Sequence, residues 1–346
     1  MNTSNMATKF NNIVNNITNI GYQWHQDMLI DNSKYNVQYI ENTIRELPEL
    51  QNKKQKSAIV VSAGPSLHNL DIISRIKKAG YKGTLIAIDG SYIRMLKHQL
   101  IPDYTLTLDP HPTRIVRWFG DPNFEDNFKN DDYFDRQDLD VNFRNNTIKV
   151  NDENIALVDR YSSNNKLIIC STAPRNIVAR CADAEFDMYW WAPLVDDPNQ
   201  DGSLTKKINN ITGLPCMNTG GTVGTAGWVF AKTILGIENI AVVGMDLGYY
   251  SNTPYSQTQT YYELQEYVKS NKNQNIKDLF PNFVYPPTNV SFYTDPTYYW
   301  YRQNLLDLVN SSKSILYNCT EAGTLFGPGI ECLDVEDFIH SFDLKQ

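Results

Sequence analysis

The residues best placed to do chemistry are the turn Gly64-Pro65-Ser66-Leu67, which follows an apolar run, Ala58 to Ser62, without a break. The apolar spacing of Asn69 to Ala79 predicts a helix after it, giving strand, tight turn, helix. The first N–H groups of such a helix lack partners and its dipole favours negative charge, so the turn suits a phosphate. Gly64 lets backbone approach an anion, Pro65 fixes the turn, and Ser66 caps the helix or donates its hydroxyl. The plainer reading is a strand-to-helix connection with a serine cap.

A second stretch, Thr219-Gly220-Gly221-Thr222, opens a helix predicted from Val223 to about Leu235, with no evident strand before it. Its small residues Gly224, Ala226 and Gly227 permit close packing on a sheet or a nucleotide. Three apolar strands end in acids, at Asp89, Asp109 and Asp246. Asp89-Gly90 and Asp109-Pro110 also read as simple turns. Ser91 begins a predicted helix to Gln99, and Thr172 is placed to cap one that starts at Pro174, with Arg175 in its first turn.

These residues need a scaffold that brings strand ends together. Residues 57–250 alternate apolar strands and helices, the pattern of an α/β, Rossmann-like doubly wound and mostly parallel sheet, which binds ligands beyond the carboxyl ends of its strands. Strands are predicted at 84–88, 104–108, 166–170, 186–191 and 240–243, with order resuming over 154–158 after an acidic, Asn-rich surface excursion at 121–146. That excursion lacks the glycine and terminal glutamate of a calcium loop. One of Trp190 and Trp191 is expected in the core, the other being free to floor a site, and 196–214 reads as a polar loop.

Flanking segments complete a division into 1–56, 57–250, 251–314 and 315–346. The first is a helical N-terminal preface on the main domain, with an apolar face at Phe10, Ile13, Val14, Ile17 and Ile20, a second helix over 35–47 and a polar linker at 51–56. The third is a Tyr-rich helical insertion, read as a mobile lid or an aromatic-packed unit, leading to a helix at 298–309. A last strand at 315–319 and a helix after Gly329 close the chain.

Composition narrows the function classes. The 346 residues are 41% hydrophobic and carry a net charge of -8, which argues against a broad nucleic-acid surface. No apolar run has the length of a membrane span and the first residues lack a signal-peptide core, so a cytoplasmic protein is expected. Five scattered cysteines suit reduced thiols, and without a CxxC pair or clustered histidines no metal site is expected. Neither GxGxxG after the first strand nor GxxxxGK[ST] is present, which disfavours NAD binding and a P-loop kinase.

In order along the chain come GPSL, Ile101-Pro102-Asp103, Thr219-Gly220-Gly221-Thr222, Leu235-Gly236-Ile237-Glu238-Asn239-Ile240, Gly244-Met245-Asp246-Leu247 and Asn318-Cys319-Thr320-Glu321-Ala322-Gly323. This succession, over about residues 40–330, resembles the motility accessory factor (Maf) family of flagellin glycosyltransferases, which share an MptE-like domain with archaeal hydroxymethylpterin pyrophosphokinases. The central region is also similar to bacterial lipooligosaccharide sialyltransferases. The resemblance implies metal-independent transfer of a nonulosonic, sialic-acid-like sugar from a CMP donor to a flagellin or glycan hydroxyl, with no cofactor. It implies a donor site at Gly64, Pro65 and Ser66 and at Thr219, Gly220, Gly221 and Thr222, beside which the strand-end residues Asp89, Ser91 and Thr172 stand as further donor-site candidates, and tyrosines after Asp246, among them Tyr250 and Tyr255, to stabilise the departing phosphate.

The sialyltransferase base is a histidine after those tyrosines, whereas this chain has none between His111 and His340. The base is therefore left among Asp109, Asp246 and His111. Two other readings stand beside this one. A pyrophosphokinase would need magnesium and ATP, but its TDLDG-like stretch reads Thr107-Leu108-Asp109-Pro110 here and its His-Gly-Asp-Asn-like stretch has no counterpart. The second is a non-catalytic accessory protein that binds a nucleotide sugar.

Overall fold

The computed structural model describes residues 10, 13–14, 26–51, 57–112, 116–124, 149–271 and 275–342. In chain order its strands are β1 (Asn42–Thr43), β2 (Ser57–Val61), β3 (Thr84–Ile88), β4 (Tyr104–Leu106), β5 (Lys166–Cys170), β6 (Asp187–Leu194) and β7 (Cys216–Asn218). There follow β8 (Asn239–Val243), β9 (Tyr249–Tyr250), β10 (Asn282–Tyr285), β11 (Val290–Tyr293), β12 (Leu316–Asn318) and β13 (Ile330–Cys332).

Ten of these form one sheet in the order β1-β6-β5-β4-β3-β2-β8-β12-β13, with β7 also paired to β6. All its pairings are parallel. A strand covered on both faces must be apolar on both, and β2 and β3 are buried along their whole length. Ile59 and Val61 of β2 enter one core with Ile72, Ile76 and Tyr92, while Ala58 and Val60 enter the other with Ile86, Ala226 and Phe230. The chain steps outward from β2 to β6, then returns to lay β8 on the other side of β2. That reversal makes the boundary between β2 and β8 the switch point of a doubly wound sheet.

Several local expectations are corrected. The predicted 69–79 helix is two, Ser66–Asn69 and Ile72–Ala79, broken where Asp71 takes a left-handed φ of 49°. The expected loop at 196–214 holds a helix, Leu204–Thr212, because the Asp196 carboxylate accepts from Ser203 Oγ and from the Leu204 and Thr205 amides. Residues 26–36 are helical, and instead of a helix over 35–47 the chain makes a 3-10 turn and then β1. Residues 154–158 lie in the helix Asn151–Tyr161, β13 follows the strand expected to be last, and Trp190 and Trp191 are both fully buried in the core.

The Tyr-rich insertion contains an antiparallel sheet, β10-β11-β9, as well as the helix Tyr261–Ser270. Its rings pack on one another, Tyr249 stacking on Tyr293 and Tyr298 at 5.3 Å each. Phe10 and Ile13 pack into this aromatic cluster, Phe10 edge-on to Tyr299, instead of onto the main sheet. Ile17, Ile20, most of the linker and most of the acidic excursion lie outside the described residues. Among the described residues no helix is long and apolar enough to cross a membrane.

Candidate functional site

Past the ends of β2 and β8 the backbones stay paired. Ser62 N–H donates to Val243 O and Gly64 N–H to Gly244 O, both at 2.8 Å. A Cβ on Gly64 would lie 2.1 Å from Asp246 Oδ2 and 2.5 Å from Gly244 O, so only glycine lets the two turns meet. Ser66 then donates from Oγ to Asp246 Oδ2 at 2.6 Å and from its amide to Oδ1 at 3.3 Å. The expected serine cap is therefore not made. Pro65 is the N-cap residue, and the serine hydroxyl is spent on the acid.

Burial pushes the Asp246 carboxyl up to about 6, and the two Ser66 hydrogen bonds hold it from rising further. From the other side the 318–325 turn grips the same residue. Thr324 N–H donates to Asp246 O at 2.8 Å, and Thr320 Oγ1 accepts from the Met245 amide. Gly323, at φ 81°, sits where a Cβ would be 2.3 Å from Asp246 O. Arg75 anchors this turn by forking to Glu321 and Glu336.

The remaining amides of the Ser66 helix are closed too: Leu67 and His68 donate to Gly64 O and Pro65 O. The anion cradle expected there is occupied by the protein itself. The second helix start differs. Thr222 caps it, its Oγ1 accepting from the Thr225 amide at 3.0 Å, while the Val223 and Gly224 amides meet no acceptor among the described residues. Strand β7 precedes the start after all, and the Gly220 and Gly221 amides are tied to Asn218 Oδ1 and Thr219 Oγ1. A Cβ on Gly224 would be 2.7 Å from Ser62 Oγ and 2.9 Å from Met245 Cε. Both helix starts thus reach the same end of β2, from opposite faces of the sheet.

The other candidate residues sit along the same edge in different roles. Asp89 opens the helix Asp89–Lys97, its Oδ1 accepting from the Gly90 amide. Ser91 Oγ donates to Val61 O at 2.6 Å and accepts from the Ile88 amide, tying helix to strand. Asp109, beyond β4, accepts from the His111 amide at 2.9 Å. Thr172 does not cap the next helix, which is Arg175–Asp183 with Pro174 as N-cap; its hydroxyl pairs with Cys170 Sγ. Arg175 lies over the Tyr35 ring at 4.7 Å. Burial raises the Tyr250 phenol above its ordinary range, a hydrogen bond with Asn69 offsets part of this, and the Asp246 charge adds to it. Tyr255 stacks on Phe280 at 4.3 Å inside the insertion's aromatic cluster.

Two residues that position the candidate edge escaped sequence reading. Asn36 Nδ2 donates to Ser171 O and Ala173 O, and Asn32 Nδ2 to Thr172 O and Pro110 O, so one helical face clamps the turns after β4 and β5. Their i, i+4 spacing was the available signal. Among the described residues no three His, Cys, Asp or Glu side chains stand together as a metal-binding group.

The profile of the 6-hydroxymethylpterin diphosphokinase MptE-like family matches residues 28–125. The fold is similar to the solved structure of the Maf glycosyltransferase from Magnetospirillum magneticum AMB-1, at 14% identity and a TM-score of 0.53, over 92% of this chain and 40% of that one. This chain therefore spans less than half the length of that protein. No curated protein matches. Profile and fold both agree with the family resemblance carried by the ordered motifs.

Proposed function

We propose that this chain is a glycosyltransferase that holds a CMP-linked nonulosonic sugar over the closed junction of the β2 and β8 ends, against the Thr222 helix start. The observation that supports this reading is the Thr222-capped helix start, whose Val223 and Gly224 amides have no acceptor among the described residues and whose Gly224 packs on Ser62 at the end of β2. Breaking a glycosyl–phosphate bond leaves charge on the phosphate, and aligned N–H groups stabilise that charge without a cation. Thr222 fixes the start of the helix. Ser66 and Asp246 build the opposite wall, with Asp246 a positioning residue because both its oxygens are held by Ser66.

The acceptor hydroxyl, on flagellin or a glycan, loses its proton to the Asp109–His111 turn, two strands from β2. At the spacing of neighbouring strands that is about 10 Å across the sheet. Tyr250 lines the β8 side. The reading needs no cofactor, and it places the protein in the cytoplasm with its cysteines as free thiols.

The profile match favours one other reading, a pyrophosphokinase acting on ATP and a pterin. Its magnesium would be held by one or two carboxylates together with the ATP phosphates, and no step is derived through it. Incubation with CMP-linked sialic, pseudaminic and legionaminic acids tests the two. CMP release that rises with acceptor and persists in a chelator supports the transferase. AMP release from ATP with 6-hydroxymethyldihydropterin supports the kinase and overturns it, and tight CMP-sugar binding without turnover supports a non-catalytic accessory protein.

A further inference from the structure

Away from that junction, a cavity of about 280 Å3 opens between the Ser66–Ala79 helices and the Asp89–Lys97 helix. We propose that it is a second anion site, binding a small phosphate-type dianion through Arg94, assisted by His68, Lys97 and His98. Arg94, Lys97 and His98 fall at i, i+3 and i+4 and so share one face of their helix. Arg94 is partly withdrawn from water and has no ion-pair partner among the described residues, and burial lowers its pKa.

Neighbouring cations are already engaged. Arg75 turns to Glu321 and Glu336 and Lys77 Nζ donates to His98 O, whereas Lys97, in the lining itself, has a long 3.7 Å pairing with the exposed Glu153 that an anion can displace. Asp71 is the one carboxylate in the lining, against two permanent cations and two imidazoles. His98 has its Nδ1 on Ser74 Oγ at 3.1 Å, which leaves Nε2 for a ligand. Leu67 and Ile73 supply an apolar wall that strengthens any charge pairing inside. A half-buried guanidinium without a counter-charge is costly, and an anion relieves the cost. Four donor-bearing side chains from two helices match the spread oxygens of a phosphate better than the flat pair of a carboxylate.

The test is titration of the full chain with inorganic phosphate, following the imidazole resonances of its histidines by NMR. The expected result is saturable movement of the His68 and His98 signals with His340 unmoved, weakened at least about tenfold by Arg94→Gln and more mildly by Lys97→Gln, an exposed position that keeps the fold. Still His68 and His98 signals, or unchanged movement in both variants, would overturn the proposal.

Discussion

The hydroxyl of Ser66 donates a 2.6 Å hydrogen bond to Oδ2 of Asp246, joining two turns 180 residues apart in the chain. It locks the two sides of the switch point together, and it does so with an acid that has left water almost entirely. Because burial raises that carboxyl to about 6 from an ordinary 3.8, the folded protein keeps a proton that the unfolded chain has released between those values. Stability from this group is full below the ordinary value and is lost as pH rises through 6, by about 3 kcal/mol in all. Asp246→Asn removes the titration. Urea unfolding from pH 4 to 8 should show the wild type losing stability relative to the variant; a constant gap between them counts against this role.

Gly64 makes that meeting of turns sterically possible. Gly64→Ala would drive a methyl group into Gly244 O and the Asp246 carboxylate, and the backbone oxygen cannot step aside. The expected cost is about 3 kcal/mol, the upper end for overpacking. Gly80→Ala is the comparison, since Gly80 has a φ of 70° but nothing within 4 Å. It should cost about 1 kcal/mol from left-handed strain alone. Equal losses in thermal or urea unfolding would show that the contact with Asp246 is not tight.

Asn36 is the corresponding pin at the other end of the edge. Asn36→Ala leaves the Ser171 and Ala173 carbonyls without their donor and should cost about 2 kcal/mol. Asn36→Asp should cost more, because it sets a carboxylate against two carbonyl oxygens. Hydrogen exchange at 171–173 reads the effect locally. Unaltered protection there in both variants would remove Asn36 from the positioning of this edge.

Much of this was legible in the sequence wherever one segment carried its own signal. Strands β2, β3, β5 and β8 are apolar runs because both their faces are covered, and the Thr222 cap is written in four consecutive residues. The edge strands β1, β7 and β13 are two or three residues long, too short to show a pattern. The Leu204–Thr212 helix hides in a polar stretch because its start depends on Asp196, eight residues before it. The Ser66 turn misled for a similar reason. Its sequence advertises an open helix start, while the acid that closes it is contributed by a distant strand end, so no local reading could tell the closed turn at Ser66 from the open one at Thr222.

On the proposed reading, the nucleotide binds where the Thr222 helix start and the Ser66 turn both reach the end of β2. Titration with CMP, following backbone amides by NMR, tests it most directly. The expected result is that Val223 and Gly224 shift as they gain an acceptor, with Gly64 and Ser66 shifting at the same CMP concentration. Saturating CMP that leaves the Val223 and Gly224 amides unmoved would contradict it.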